Sequence, residues 1–110
     1  MPIIMPPGHH TITSSFIVDG VAKVIDFMVA AFDATVVDRY DGPEGVVFHA
    51  EVQIGDSILM MGDGQPGFEP MPAMLGIYVE DCDATFARAL AAGATEIEAP
   101  KDMFYGYRTA

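Results

Sequence analysis

Apolar and polar positions change period several times along the chain, and each change marks an element. Ile12-Thr13-Ser14-Ser15-Phe16-Ile17-Val18 is β-branched and aromatic and predicts a strand. It runs into Asp19, a residue type that caps helices. Apolar residues then recur at Val21, Ile25, Met28 and Phe32, the spacing of one buried helix face. Further strands are predicted at residues 35–40, 46–54 and 57–61. They are divided by the turn sequences Asp41-Gly42-Pro43-Glu44-Gly45 and Gly55-Asp56. This unit therefore reads β-α-β-β-β.

A second unit follows the Gly- and Pro-rich stretch of residues 62–72. Leu75-Gly76-Ile77-Tyr78-Val79 predicts a strand and Asp81 a helix cap, with Cys82, Phe86 and Leu90 along the next helix and Gly93 at its end. The two units keep step, since Val18-Asp19 matches Glu80-Asp81 at an offset of 62 and Ala34-Thr35 matches Ala94-Thr95 at an offset of 60. A full repeat at about 60 would put the last strand near residues 116 to 121, so the second unit is expected to be incomplete, with an open sheet edge. Pairing with a second copy of the chain is the expected remedy, and the prolines within residues 1–7 suit a segment that covers such an edge. The expected organisation is one domain, with module one at 11–61, a linker at 62–73 and an incomplete module two at 74–110.

Charge narrows the partners. Five Lys+Arg against 16 Asp+Glu give a net charge of −11. The basic residues Lys23, Arg39, Arg88, Lys101 and Arg108 are scattered and form no stripe that would track phosphates. Nucleic acid and anionic membrane surfaces are thus disfavoured. With 51 % hydrophobic residues, 11 Gly and 8 Pro, the chain has enough apolar surface for a core and enough turn formers to fold around it. No apolar run approaches the roughly 18 residues of a membrane span, and the first residues lack the basic region of a signal peptide, so a cytoplasmic protein is expected. Cys82, the single cysteine, allows no internal disulfide and no cysteine zinc site, and its place in the helix stripe predicts an inert buried thiol.

The candidate chemistry is concentrated on one strand. His49, Glu51 and Gln53 alternate, so they share a face opposite Phe48, Ala50, Val52 and Ile54. An imidazole beside a carboxylate suits a general base, and equally a hydrogen-bonded pair that only shapes a polar wall. His9 and His10 are neighbours and point to opposite faces, which predicts solvated or packing roles. Phe104-Tyr105-Gly106-Tyr107-Arg108 reads either as the rim of a pocket for an anionic or planar ligand or as a half-buried strand with a paired arginine. Tyr78 offers a hydroxyl to a ligand or to the core. Met60, Met61, Met71 and Met74 are gap-fillers or an adaptable pocket lining.

The runs His10-Thr11-Ile12-Thr13, Ile17-Val18-Asp19-Gly20, Ile25-Asp26-Phe27, His49-Ala50-Glu51, Ile54-Gly55-Asp56-Ser57 and Phe104 to Arg108 resemble a bacterial glyoxalase-like branch of the vicinal oxygen chelate superfamily, which includes glyoxalase, bleomycin-resistance proteins and extradiol dioxygenases. The resemblance covers nearly the whole chain, apart from an Asp-Pro-Phe-Gly-His type turn and a last strand common in that branch. It implies an α+β fold in which tandem β-α-β-β-β modules form a mixed, curved sheet around a cleft. Ser14, Phe16, His49, Glu51, Gln53, Leu59, Met61, Tyr78, Tyr105, Tyr107 and Arg108 are then the expected ligand-binding residues.

The resemblance also implies a divalent metal held by a His on the first strand and a Glu on the last strand of each unit. Seven residues before Asp19 lies Ile12, seven before Asp81 lies Met74, and the first Glu position falls at Leu59. The neighbours Thr11, Thr13, Ile58, Met60, Ala73 and Leu75 bring no His or carboxylate. No metal and no cofactor are therefore expected. The leading functional expectation is a small-molecule-binding protein of the bleomycin-resistance type that holds a cationic or polar ligand in a dimeric cleft. A metal-independent isomerase or lyase is the alternative, with His49 as base, Glu51 orienting it and Arg108 stabilising developing negative charge. A domain that only serves as partner to another chain is the third.

Overall fold

The computed structural model describes residues 4–110, so the first three residues of the proline-bearing segment lie outside the described residues. Strand β1 (Ser15–Val18) leads into helix α1 (Val21–Phe32), and β2 (Thr35–Asp41), β3 (Val47–Ile54) and β4 (Ser57–Asp63) follow. The sheet order is β1-β4-β3-β2, with β1 parallel to β4 and the other pairs antiparallel. The first unit thus has the β-α-β-β-β order expected, and the fold is α+β with a curved, mixed four-stranded sheet and two helices. Between β3 and β4 the turn is the two-residue Gly55-Asp56, where Gly55 takes φ 58, a left-handed conformation that glycine adopts without steric cost.

The core lies between α1 and one face of the sheet. Val21, Ile25 and Met28 of the helix meet Phe16, Ala50, Val52, Leu59 and Met61 of the strands. Alternation along each strand places these residues on one side. Phe48 has the same parity but is half exposed, with its ring packed over Gly42, where a Cβ would sit only 2.6 Å from it.

Asp19 does not cap α1. Gly20 occupies the N-cap in a left-handed conformation with no side chain to offer, and the acceptor comes from the far end of β4. Asp63 Oδ1 accepts the N–H groups of Gly20 at 2.7 Å and Val21 at 3.3 Å, while Oδ2 accepts that of Val47 at 2.8 Å. One carboxylate therefore fastens the starts of α1 and β3 to the end of β4. Partial burial works to raise the Asp63 pKa, but the three N–H donors together outweigh it and hold the carboxyl below the usual range.

The second unit contributes helix α2 (Cys82–Ala91) and a short antiparallel hairpin of β5 (Lys101–Asp102) and β6 (Arg108–Thr109). Asp81 caps α2 as expected, accepting the Ala84 N–H at 3.0 Å. At the other end Gly93, at φ 117, donates to Leu90 and Ala94 donates to Ala89, the paired bonds of a Schellman close. The expected strand at 75–79 differs. Residues 71–79 form no strand: the Met71 N–H donates to the Ile17 carbonyl of β1 at 3.1 Å, but no ladder with a described strand continues from there. Alternation survives there in burial alone: Leu75, Ile77 and Val79 are partly covered, whereas Met74 and Tyr78 stand out in solvent. Nor is the Cys82, Phe86 and Leu90 stripe buried. No residue of α2 is fully enclosed, and Cys82 is partly exposed rather than a core thiol.

The two units are joined by Arg88. Its guanidinium meets both carboxylate oxygens of Asp33, at 2.8 and 3.1 Å, and donates to the Ala30 carbonyl at 2.9 Å. A cation here also faces the negative end of α1. The arginine's hydrogen bonds hold the Asp33 carboxyl below the usual range. No helix among the described residues is long and apolar enough to cross a membrane.

Candidate functional site

Strand pairing decides which residues share the sheet face opposite α1. Glu51 sits across from Met60 on β4 and from Asp38 on β2, Met60 sits beside Ser15 on β1, and His49 sits across from Tyr40. These side chains form a polar and aromatic wall free of the helix. His49 Nε2 lies 2.8 Å from Glu51 Oε2, and the Tyr40 and His49 rings are 6.3 Å apart. Gln53 is on the same face but exposed, and it donates to the Gly55 carbonyl at 3.0 Å.

The other oxygen of Glu51 has a second imidazole beside it. His9 Nε2 is 2.9 Å from Glu51 Oε1, so one carboxylate lies between two histidines. The side chains are 8 % exposed for His9, 14 % for Glu51 and 39 % for His49. His9 is thus neither solvated nor mere packing, contrary to the expectation for His9-His10, while His10 is exposed. Sheet order is the signal that would have found it. Residues before β1 must pass beside β4, whose other neighbour, β3, carries Glu51.

Several expected ligand-binding residues are elsewhere. Phe16 and Met61 are buried against α1 at 8 % and 2 % exposure, and Leu59 joins them in the core. The resemblance put them on the ligand wall, whereas the pairing of Glu51 with Met60 sends Leu59 and Met61 to the opposite face. Ser14 is exposed beside β1, and its carbonyl accepts the Met60 N–H at 2.9 Å. Tyr78, Tyr105 and Tyr107 are exposed and meet Phe104 edge to face in a row, with ring centres 5.1 to 6.3 Å apart. Among the described residues no hydrogen bond or ring contact links that row to His49 or Glu51.

Arg108 is committed to structure. It grips Asp83 through Nε at 2.7 Å and Nη2 at 2.9 Å, and Asp102 through Nη1 at 3.1 Å. It therefore clamps the β5–β6 hairpin to the first turn of α2. Its hydrogen bonds to Asp83 and then to Asp102 raise its pKa further above an already high value. A guanidinium held by two carboxylates is not free to stabilise developing charge on a substrate, and the role expected for it falls away.

Cavities lie on both sides of the sheet. One, of about 130 Å³, lies beside His9 between the N-terminal segment and β4. The other, of about 670 Å³, lies between the end of α1, the Gly55-Asp56 turn and residues 75–81, and Asp33, Asp56, Glu80 and Asp81 line it along with Arg88 and Tyr78. A resident metal does not fit the positions the resemblance assigns. Ile12 and Met74 are exposed hydrocarbon or thioether side chains, Leu59 is in the core, and Ile58 and Met60 on the wall side of β4 bring no nitrogen or oxygen donor. His9, Glu51 and His49 do come together, but each imidazole nitrogen lies beside a different oxygen of the carboxylate rather than at a common point, and among the described residues no group of three His, Cys, Asp or Glu is arranged to hold a metal ion.

The model of the Glyoxalase/Bleomycin resistance protein/Dioxygenase superfamily matches residues 8–110. An uncharacterized protein of Mycobacterium bovis, Mb0911c, is 40 % identical over 103 residues, which cover 84 % of this chain and 68 % of that protein. Rv0887c of Mycobacterium tuberculosis is likewise 40 % identical, and the chain spans 61 % of its length. Among solved structures, TioX from a Micromonospora species superimposes with a TM-score of 0.66 at 22 % identity, covering 90 % of this chain and 82 % of that one. A gene product of Arabidopsis thaliana does so with a TM-score of 0.68 at 21 % identity, covering 83 % and 79 %. At these identities the likeness is one of fold.

Proposed function

The chain belongs to the Glyoxalase/Bleomycin resistance protein/Dioxygenase superfamily, and we propose that it binds a small polar or cationic molecule on the wall formed by Tyr40, His49, Glu51, Gln53 and Met60, without a metal. The observation that carries this reading is Glu51. A carboxylate only 14 % exposed, on a sheet face without a helix, is an acceptor that needs hydrogen-bond donors around it, and a ligand N–H or cation is a donor of the right kind. A net charge of −11 would also draw a cation towards the protein.

The test is thermal denaturation with a panel of cationic antibiotics, amines and nitrogen heterocycles, in the presence of a chelator. A hit at a hundred times its Kd should stabilise the wild type by about 2.7 kcal/mol, and Glu51→Gln should lose most of that gain. Stabilisation that needs added metal, or that ignores Glu51→Gln, would contradict the reading. A second reading, a metal-independent isomerase or lyase, draws on the 2.8 Å contact between His49 and Glu51. It requires a hit to be converted by the wild type and not by His49→Ala, as read by mass spectrometry.

We also infer that the protein works as a homodimer. The ladder-free segment 75–79 carries β-branched and aromatic residues with unpaired backbone groups, which a second copy can pair and cover. Light scattering at moderate salt should report twice the 11.8 kDa chain mass. A monomer at micromolar concentration would remove the shared-cleft part of the proposal.

A further inference from the structure

His9 reaches Glu51 from residues 4–14, which belong to no helix or strand. Its side chain is nine-tenths buried while its neighbours Gly8 and His10 are exposed, so the segment lies as a strap with one ring tucked under it. The strap also covers Ile58, whose Cδ1 is close enough that a Cβ on Gly8 would sit 3.2 Å away.

The tucked ring is poorly satisfied. Nε2 is fully buried and only 2.9 Å from Glu51 Oε1, but it lies off the N–H axis and makes no hydrogen bond there. Nδ1 faces the Pro7 carbonyl at 3.4 Å, too long to compensate. Glu51 therefore has one good bond, from His49 to Oε2, and a misaligned contact at Oε1. Beside the ring the strap leaves the cavity of about 130 Å³, lined by Thr13, Ser14, Ser57 and Ile58. A buried polar atom without a bond, next to open space, marks a contact that a better donor can replace.

We propose that His9 is an internal stand-in for the ligand, and that the molecule bound on this wall displaces the strap and presents its own N–H donor to Glu51 Oε1. This rests on the ligand-binding reading of the same face and deepens it to a ligand class, flat nitrogen heterocycles and amidines. A carboxylate only accepts, so the incoming group must donate. The slot holds an imidazole, so the group must be planar and about that size. An anionic head is excluded by Glu51 and by the charge of the whole chain.

Imidazole itself is the probe, added to the full chain at millimolar concentration while unfolding is followed by circular dichroism. It should raise the melting temperature of His9→Ala by about 2 °C or more, raise that of the wild type less, and leave the double variant His9→Ala with Glu51→Gln unmoved. Equal responses of the two variants, or no response of His9→Ala, would overturn the proposal. Should His9→Ala not fold, the wild type is followed by NMR instead. Added imidazole should move the His9 Cε1 proton towards the position of a solvent-exposed histidine, and a proton that stays in place overturns the proposal. A panel hit that needs Glu51 but binds wild type and His9→Ala with equal Kd overturns the strap and leaves the ligand-binding reading standing. Hits indifferent to Glu51→Gln remove both.

Discussion

Truncating Met61 to alanine should cost about 3 kcal/mol of folding stability and leave ligand binding at the Glu51 wall intact. Met61 is 2 % exposed and packs among Phe16, Ala50 and the apolar stripe of α1. Removing its buried thioether loses the transfer energy of the deleted atoms and leaves a cavity that a close-packed core fills only in part, which for Met→Ala amounts to roughly 2–5 kcal/mol. The neighbouring residue is the control. Met60 lies across from Glu51 on the opposite face and is only partly buried, so Met60→Ala should cost about 1 kcal/mol and weaken the ligand instead. Urea titration of both variants checks the pair. Similar losses of stability would mean that the two faces of β4 are not divided as described.

Asp63→Ala should lower stability by about 3 kcal/mol, although its side chain adds no apolar group to the core. The change removes a helix cap, worth about 1 kcal/mol, and also strands the Val47 N–H in a partly buried site at about 1–3 kcal/mol. Asp63→Asn, which keeps an acceptor oxygen, should lose less. The contribution also depends on pH. Because the folded-state pKa is depressed, the stabilisation is fully present above the unfolded value of about 3.9 and is lost as the pH falls through the folded value. Urea midpoints of wild type and Asp63→Ala should therefore lie closer together at pH 2 than at pH 7. A difference that stays constant with pH would show that the carboxylate charge plays no part.

Elements that depend on near neighbours were legible in the sequence. The helix stripe of α1, the Gly55-Asp56 hairpin and the Asp81 cap each rest on residues within a few positions of one another, and each stands in the structure. What failed depends on residues far apart. The cap of α1 comes from Asp63, 43 positions beyond Gly20, so Asp19 had only proximity in its favour. Face assignment on β4 turns on one residue of register, and only the pairing of Glu51 with Met60 settles it. His49 and Glu51 were readable because alternation on one strand suffices, whereas His9 joins them through the order of three strands. The segment 75–79 has the composition of a strand, but a strand is a relation between two segments, and composition names only one.

Chemical-shift mapping of the isotope-labelled wild type with the strongest panel hit shows which face holds the ligand. With the ligand on the Glu51 face, the largest changes should fall on Tyr40, His49, Glu51, Gln53 and Met60, with His9 moving as well. Changes centred on the end of α1, residues 75–81 and Arg88 would place the ligand in the cavity on the other side and contradict binding at Glu51.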